Sequence, residues 1–193
     1  MAQYQAFTEG VEVNGETVLS VVEGLGAFKG RALTFLADNG IENPVPGQWY
    51  SQQAWLNAFK AIAESTGEFT LYNIGRKIPE NAQFPPEIDS IEKALQAIDV
   101  AYHMNHRLHQ QVMFDPTNGR MIEGIGHYYY EPQKERKVIM RCENPYPSEF
   151  DRGIIEAMAN RFKPAGSFVM VHLDRSQPMR KSGGESCSFV VSW

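Results

Sequence analysis

The sequence predicts an α+β fold, in which N-terminal helices pack on a small, mostly antiparallel sheet of ββαββ order. Apolar residues recur with the period of a helix over residues 1–110, and from Ile122 they alternate with a period of two. Helices and strands are therefore segregated along the chain. The length of 193 residues fits a single domain, with a helical part over 1–110 and a sheet part over 120–193.

Five helices are expected in the N-terminal part. They cover 14–23 with Asn14 as N-cap, 28–39, a segment from the Pro-Gly break near Gly47 to Ser65, 69–78 before Pro79, and a segment whose buried stripe is Ile91, Leu95, Ile98 and Tyr102. Asp89 and Glu92 have the spacing of a capping box for this last helix. Its small residues Ala94, Ala97 and Ala101 predict a flank against which another element packs closely.

Four strands are expected in the C-terminal part, at 123–130, 137–142, 167–173 and 187–193. A helix over 148–162, capped by Ser148, lies between the second strand and the third. Arg180 and Lys181 precede a Gly-Gly turn, and this basic loop is expected to be a solvated connection.

Charge and hydropathy exclude several classes of function. The net charge of −5 comes from interspersed signs without a basic stripe, which argues against nucleic acid as a partner. Apolar runs fall short of the ~20 residues that span a bilayer, so no membrane span is expected. The first residues lack the features of a secretory signal, and two cysteines make no disulfide framework. We therefore expect a cytoplasmic protein with free thiols.

The C-terminal segments also carry a family resemblance. The stretch from Asn144 to Ile155 (NPYPSEFDRGII) leads into the inserted helix, and the 168–174 strand, the Gly183-Gly184 turn and a final Cys-Ser-Phe-Val-Val follow. This order of features resembles the end of a 4-vinyl reductase-like domain, a sensory domain that responds to phenol-like compounds. The resemblance implies the superfamily of haem nitric-oxide sensors and Golgi-transport subunits. It further implies a hydrophobic ligand held between helices and sheet, and a homodimer.

Many domains of that family bind a structural zinc, and the positions here that match its ligands are Ser148, Ser176, Met179 and Cys187. Of these only Cys187 is a zinc ligand, whereas a tetrahedral site needs four ligands. We therefore expect no metal. The alternative is a site that recruits Cys142 and His172 beside Cys187.

Two histidines near the end of the fifth helix are candidates for contact with a ligand. The resemblance implies a helix histidine that hydrogen-bonds the ligand hydroxyl, and His103 matches best in spacing. The helical wheel instead favours His106, beside the buried stripe. The alternative for both is a solvated helix end, where histidine suits the negative end of the helix dipole.

Aromatic residues complete the predicted ligand site. Tyr102, Tyr128 and Tyr130 are expected to form its wall, since tyrosine offers apolar area and one polar group. The alternative for the two strand tyrosines is ordinary cross-strand packing. Trp49 and Tyr50, at the predicted start of the third helix, are further candidates for the ligand site or a dimer face.

These observations favour a non-enzymatic sensor or carrier domain for a small hydrophobic or aromatic molecule, signalling through a separate effector protein. No nucleophile–base pair or cofactor motif is recognised, so we expect neither an enzyme nor a cofactor. One alternative is a haem- or tetrapyrrole-binding protein or enzyme of the same fold, because the helix histidines precede the sheet as an axial ligand would. A Tyr-x-Ser-x-Arg motif for the haem propionates is lacking. A second alternative is a dimeric structural or assembly subunit.

Overall fold

Helices form most of the N-terminal half and an antiparallel sheet most of the C-terminal half, which confirms the predicted α+β class. The computed structural model describes residues 3–193. Its helices are α1 (Gly15–Gly24), α2 (Lys29–Asp38), α3 (Gln52–Thr66), α4 (Phe69–Asn81), α5 (Ile91–Met104) and α6 (Ser148–Phe162). Its strands are β1 (Val11–Asn14), β2 (Trp49–Ser51), β3 (His106–Leu108), β4 (Gln111–Val112), β5 (Phe114–Asp115), β6 (Arg120–Met121), β7 (His127–Lys134), β8 (Lys137–Glu143), β9 (Met170–Leu173) and β10 (Cys187–Ser192).

The main sheet has the strand order β7-β8-β10-β9, with every pair antiparallel and α6 inserted between β8 and β9. Cys187, Phe189 and Val191 of β10 alternate into the core, as the period of two predicts. The first strand begins at His127 and not at residue 123, because Gly124 and Gly126 have φ of 122° and 78° and form a loop. Helices α5 and α6 contact this sheet.

A second sheet, of order β2-β1-β3-β4, was not predicted. Its strands are two to four residues long, too short to show a period, and β1 pairs with β2 and β3 from distant parts of the chain. Trp49 and Tyr50 were expected to start a helix and instead form β2. His106, expected on the helix, is the first residue of β3.

Three helix ends differ from their prediction. Ser90 caps α5 by accepting a hydrogen bond from Lys93 N–H, whereas Asp89 forms an ion pair with the Lys93 ammonium. Pro147 is the N-cap of α6, and Ser148 is already helical with its hydroxyl 2.9 Å from the Cys187 thiol. Helix α4 continues through Pro79 to Asn81. Local residue type does not determine at which residue these helices begin or end. Tertiary contacts decide which of several neighbouring residues becomes the cap.

Helices α4 and α6 cross at two glycines. A Cβ on Gly75 would lie 2.1 Å from the carbonyl oxygen of Phe150, and a Cβ on Gly153 would lie 2.2 Å from that of Tyr72. Both distances are far below van der Waals contact, so the two backbones approach this closely only because each position lacks a side chain. The crossing holds α6 in place against the cavity described below.

Between residues 3 and 193, the structure contains no helix with the length and apolar character that crossing a bilayer requires.

Candidate functional site

A cavity of about 90 Å³ lies in the core between α5, α6 and the end of α4. Its lining is almost wholly apolar, and Tyr128 is the contribution from the main sheet. The residues that line it are Thr17, Trp55, Ile78, Pro79, Ala82, Phe84, Ile98, Ala101, Tyr102, Asn105, His106, Tyr128, Tyr146, Phe150, Ile154 and Met158. Such a cavity admits a small apolar molecule.

A groove of about 870 Å³ adjoins the cavity, between α1, α5 and the segment that follows α4. Cavity and groove share Thr17, Ile78, Ala82, Phe84, Ala101 and Asn105 in their walls. Of the small-residue flank expected to pack against another element, Ala94 is buried, whereas Ala97 and Ala101 line this groove. Their small side chains leave the space open.

His106 lies in the cavity wall, and its two hydrogen bonds define the tautomer of its ring. Its Nδ1 lies 2.6 Å from the carbonyl oxygen of Tyr102, which can only accept, so Nδ1 carries the proton. Its Nε2 is therefore a lone pair, and the Tyr146 hydroxyl donates to it at 2.6 Å. Burial lowers the pKa of His106 to about 4, although the bond to Tyr102 opposes the shift. The ring is thus neutral at physiological pH.

The hydroxyl of Tyr146 belongs to a short buried chain of hydrogen bonds. Gln52 Nε2 donates to it at 3.1 Å, while the hydroxyl itself donates to His106. Burial raises the pKa of Tyr146, so the phenol stays protonated and keeps its role as donor. Nearby, the Tyr102 hydroxyl donates to the carbonyl oxygen of Ile125 at 2.7 Å and fixes α5 against the loop before β7.

Aromatic rings surround this chain. Trp55 lies 5.3 Å from Tyr146 and 5.8 Å from Phe150 between ring centroids, both edge to face. Sequence reasoning missed Tyr146, which follows Asn144-Pro145 at the entry to α6. Phe150, Ile154 and Met158 follow one another at intervals of four residues along α6 and line the cavity.

A buried ion pair lies behind the cavity wall. The Arg180 guanidinium pairs with the Asp151 carboxylate, and the Tyr128 hydroxyl donates to the same carboxylate at 2.5 Å. Burial acts to lower the pKa of Arg180, but the Asp151 carboxylate outweighs it and the pKa is raised. The expectation of a solvated basic loop is wrong for Arg180, which is 3% exposed. Sequence could not show this, because Asp151 lies on a different element.

The structure brings together some of the predicted ligand-binding residues and separates others. Tyr102, His106 and Tyr128 meet at the cavity. His103 is buried but faces β7, where its ring lies 4.9 Å from that of His127. Tyr130 is half-buried at the edge of the core and outside the cavity wall.

Trp49 and Tyr50 also lie away from the cavity. The Arg107 guanidinium lies over the Trp49 ring at 4.8 Å, and the Tyr50 hydroxyl accepts a hydrogen bond from Val45 N–H at 2.9 Å. Trp49 therefore has a structural partner on β3 of the second sheet, and Tyr50 has one in the loop that precedes β2.

The alternative metal ligands do not converge. Cys142 and Cys187 are buried register partners on β8 and β10. His172 pairs with Val190, so its side chain lies on the opposite face of the sheet from Cys187. Burial raises the pKa of the Cys142 thiol, which disfavours the thiolate that a metal would need.

Neither the known family models nor the curated proteins contain a match to this sequence. Solved structures of similar fold do exist. An H-NOX protein from S. oneidensis in the Fe(II)NO ligation state aligns over 93% of this chain and 98% of that chain, with a TM-score of 0.64 and 10% identity. An oxygen-binding H-NOX domain related to soluble guanylate cyclases aligns over 93% and 94%, with a TM-score of 0.60 and 16% identity. A structure from a study of haem distortion in the H-NOX family aligns over 93% and 94%, with a TM-score of 0.62 and 16% identity.

At these identities the likeness establishes the fold alone. The 4-vinyl reductase-like family is not shown by these structures. The expectation of no cofactor is wrong, since the solved structures that share the fold include haem proteins. The absence of a Tyr-x-Ser-x-Arg motif excludes one way of binding the haem propionates. It does not exclude the binding of haem.

Proposed function

We propose that this chain is a non-enzymatic sensor or carrier domain that binds haem, or a related tetrapyrrole, in the cavity and groove beside α5. The observation that carries the proposal is the Nε2 lone pair of His106, buried at the cavity wall and covered only by the Tyr146 hydroxyl. The shared fold with haem-containing H-NOX structures supports it.

The donor chemistry fits a haem. An axial histidine needs a neutral ring with one free nitrogen, and its other N–H is commonly held by a carbonyl or carboxylate. His106 is neutral, because Nδ1–H donates to the carbonyl oxygen of Tyr102 and the pKa of the ring is lowered to about 4. Its Nε2 would bind the iron once the Tyr146 hydroxyl moves away from it. Proton competition for Nε2 is therefore weak at neutral pH.

The space fits only when cavity and groove are taken together. Sites for drug-sized ligands measure roughly 300–1,000 Å³. The cavity of about 90 Å³ is too small, whereas the adjoining groove of about 870 Å³ is within that range. Apolar walls would enclose the macrocycle. Lys77 and Lys93 line the groove, and their ammonium groups would exchange the exposed ion pairs with Glu80 and Asp89 for the carboxylates of the macrocycle.

A bound haem would supply an iron that takes small diatomic ligands. The chain itself would hold this group through Nε2 of His106, orient the imidazole ring through the carbonyl of Tyr102, and exclude water with Trp55, Phe150 and Ile154.

Absorption spectroscopy during titration with hemin tests the proposal. The wild-type protein should bind one equivalent and show the Soret shift of a histidine-ligated haem. His106→Ala should lose that shift or weaken binding by at least about tenfold, as expected for loss of a metal ligand. The exposed His109 provides a matched control, so His109→Ala should behave as wild type. A wild-type protein that takes up no hemin, or an unchanged spectrum for His106→Ala, would overturn the assignment.

A second candidate is the binding of a small apolar molecule in the cavity itself, which its volume and lining favour. Hydrophobic compounds of benzene size or smaller should then raise Tm in a dose-dependent manner. Ala101→Leu, which fills the wall shared by cavity and groove, should abolish this rise. Failure of every such compound to shift Tm would remove this candidate.

Three earlier expectations remain part of the proposal: a homodimer, a separate effector protein and a cytoplasmic location. Analytical ultracentrifugation of the loaded and unloaded protein tests the first of these, and a monomer at micromolar concentration would contradict it.

A further inference from the structure

The face of α5 that points away from the groove carries a second cluster of polar side chains. Asp99 and His103 are four residues apart and so share this face, which packs against β7. His127 of β7 lies opposite them, with its Nδ1 3.0 Å from Asp99 Oδ2. One ligand atom from each of the three side chains lies within 4.8 Å of those from the other two.

His103 presents an unpartnered nitrogen in this cluster. Its Nδ1 lies 2.9 Å from the backbone carbonyl oxygen of Asp99, so Nδ1–H is the donor and Nε2 is a lone pair. The side chain is fully buried, and Nε2 has no hydrogen-bond partner among the described residues. An unsatisfied buried polar atom is costly, and a metal ion is one group that would satisfy a lone pair.

We propose that Asp99, His103 and His127 form a binding site for a divalent transition metal ion such as Zn²⁺, separate from the site at His106. Two imidazoles and one carboxylate are ligands that zinc accepts, and the fourth position would be open to water. Each histidine keeps one nitrogen for the metal and has a partner on the other. Glu123 lies 2.9 Å from His127 Nε2, and the carbonyl oxygen of Asp99 accepts from His103 Nδ1–H.

The distances are near those that zinc requires. Ligands at about 2.0–2.2 Å in a tetrahedron are about 3.3 Å apart. The Nδ1 of His127 and Oδ2 of Asp99 are 3.0 Å apart, so an ion would replace the proton between them after a shift of a few tenths of an ångström. A ring nitrogen of His103 lies within 4.8 Å of the other two ligand atoms, and the ring would turn or shift so that Nε2 meets the same spacing.

Solvent reaches this cluster from one side. Glu123 is 77% exposed, and the side chains of Asp99 and His127 are 19% and 16% exposed. Asp99 is also fixed in place, because its Oδ1 accepts a hydrogen bond from Tyr128 N–H at 2.8 Å. An entry path and an oriented carboxylate are both features of a metal site.

Calorimetric titration with Zn²⁺ and visible spectroscopy with Co²⁺ test the site on the purified full chain. One equivalent of either ion should bind, and Co²⁺ should show the intense d–d bands of tetrahedral coordination. His127→Ala should lose these bands and weaken Zn²⁺ binding by at least about tenfold, and Glu123→Gln should weaken it by roughly 10–100-fold. The exposed His172 provides the control, so His172→Ala should bind as wild type.

The site at His106 is independent of this one, so His106→Gln should leave Zn²⁺ binding unchanged. Circular dichroism verifies that each variant is folded, and Asp99→Asn provides a second test that avoids the buried His103. Absence of stoichiometric binding in the wild type, or wild-type affinity in folded His127→Ala and Asp99→Asn, would overturn the proposal.

Discussion

The Tyr146 hydroxyl lies 2.6 Å from Nε2 of His106, at the wall of the apolar cavity. This contact joins the entry of α6 to the start of β3, two elements that are distant in sequence. It also occupies Nε2 of His106, the ring nitrogen that would bind a ligand. Stability and ligand binding therefore compete for the same lone pair.

Tyr146→Phe should separate these two effects. Removal of the hydroxyl leaves His106 Nε2 without a donor, which should cost about 1–3 kcal/mol of stability. Under the haem proposal the same change should leave hemin affinity equal or higher, because the lone pair is freed. Chemical denaturation and hemin titration measure the two quantities.

Tyr50→Phe provides the control for this comparison, since the Tyr50 hydroxyl accepts a hydrogen bond in an exposed position. Its cost should stay below about 1 kcal/mol. A Tyr146→Phe protein that is as stable as wild type would show that the contact contributes nothing to folding.

The free energy of unfolding should depend on pH because of the titration of His106. Its pKa is lowered from 6.5 to about 4 in the folded protein. Above pH ~6.5 the ring is neutral in both states and the stabilisation is complete. As pH falls towards 4, the unfolded chain takes up a proton and the folded chain does not, so stability falls by up to about 3 kcal/mol.

Denaturation of haem-free protein between pH 7 and 4 measures this loss. His106→Gln removes the titrating ring and should flatten that part of the profile. Equal slopes for the variant and the wild type would mean that other groups account for the acid sensitivity.

Loss of one partner from the Asp151–Arg180 pair should be strongly destabilising. Arg180→Met leaves a buried carboxylate without its counter-charge, a change that typically costs about 3–5 kcal/mol. Lys181 offers a matched comparison in the next residue, since its ion pair with Glu68 is exposed. Lys181→Met should cost at most about 1 kcal/mol. Similar Tm values for the two variants would contradict the importance of the buried pair.

The crossing of α4 and α6 should not tolerate a side chain. Gly153→Ala places a Cβ 2.2 Å from the carbonyl oxygen of Tyr72 and should cost about 1–3 kcal/mol as the helices move apart. Gly30→Ala, in the first turn of α2, meets nothing within 4 Å and should stabilise by about 0.4–1 kcal/mol. Thermal denaturation compares the two, and an equal response of both variants would show that the crossing is loosely packed.

Patterns that lie within one segment predicted much of this fold. The stripe from Ile91 to Tyr102 and the alternation of Cys187, Phe189 and Val191 need only local order, since a helix and a strand impose their periods on neighbouring residues. The second sheet escaped prediction because its strands are short and pair with distant partners.

The candidate site depended on contacts that no local pattern contains. Sequence named both His103 and His106, and only the packing of α5 between the cavity and β7 assigned them to different surroundings. The same holds for Tyr146, whose role requires His106 to lie beside it.

By itself, therefore, the sequence determined the class of fold, the order of its main elements and the apolar faces that meet in the core. The tertiary structure decided the surroundings of the two histidine lone pairs. Nε2 of His106 accepts a hydrogen bond from Tyr146 beside the cavity, whereas Nε2 of His103 beside β7 has no partner among the described residues. The tertiary structure also decided that Arg180 is buried against Asp151. The physical reason is that hydrophobic periodicity is a property of one element, whereas the partner of a polar atom is a property of the elements packed around it.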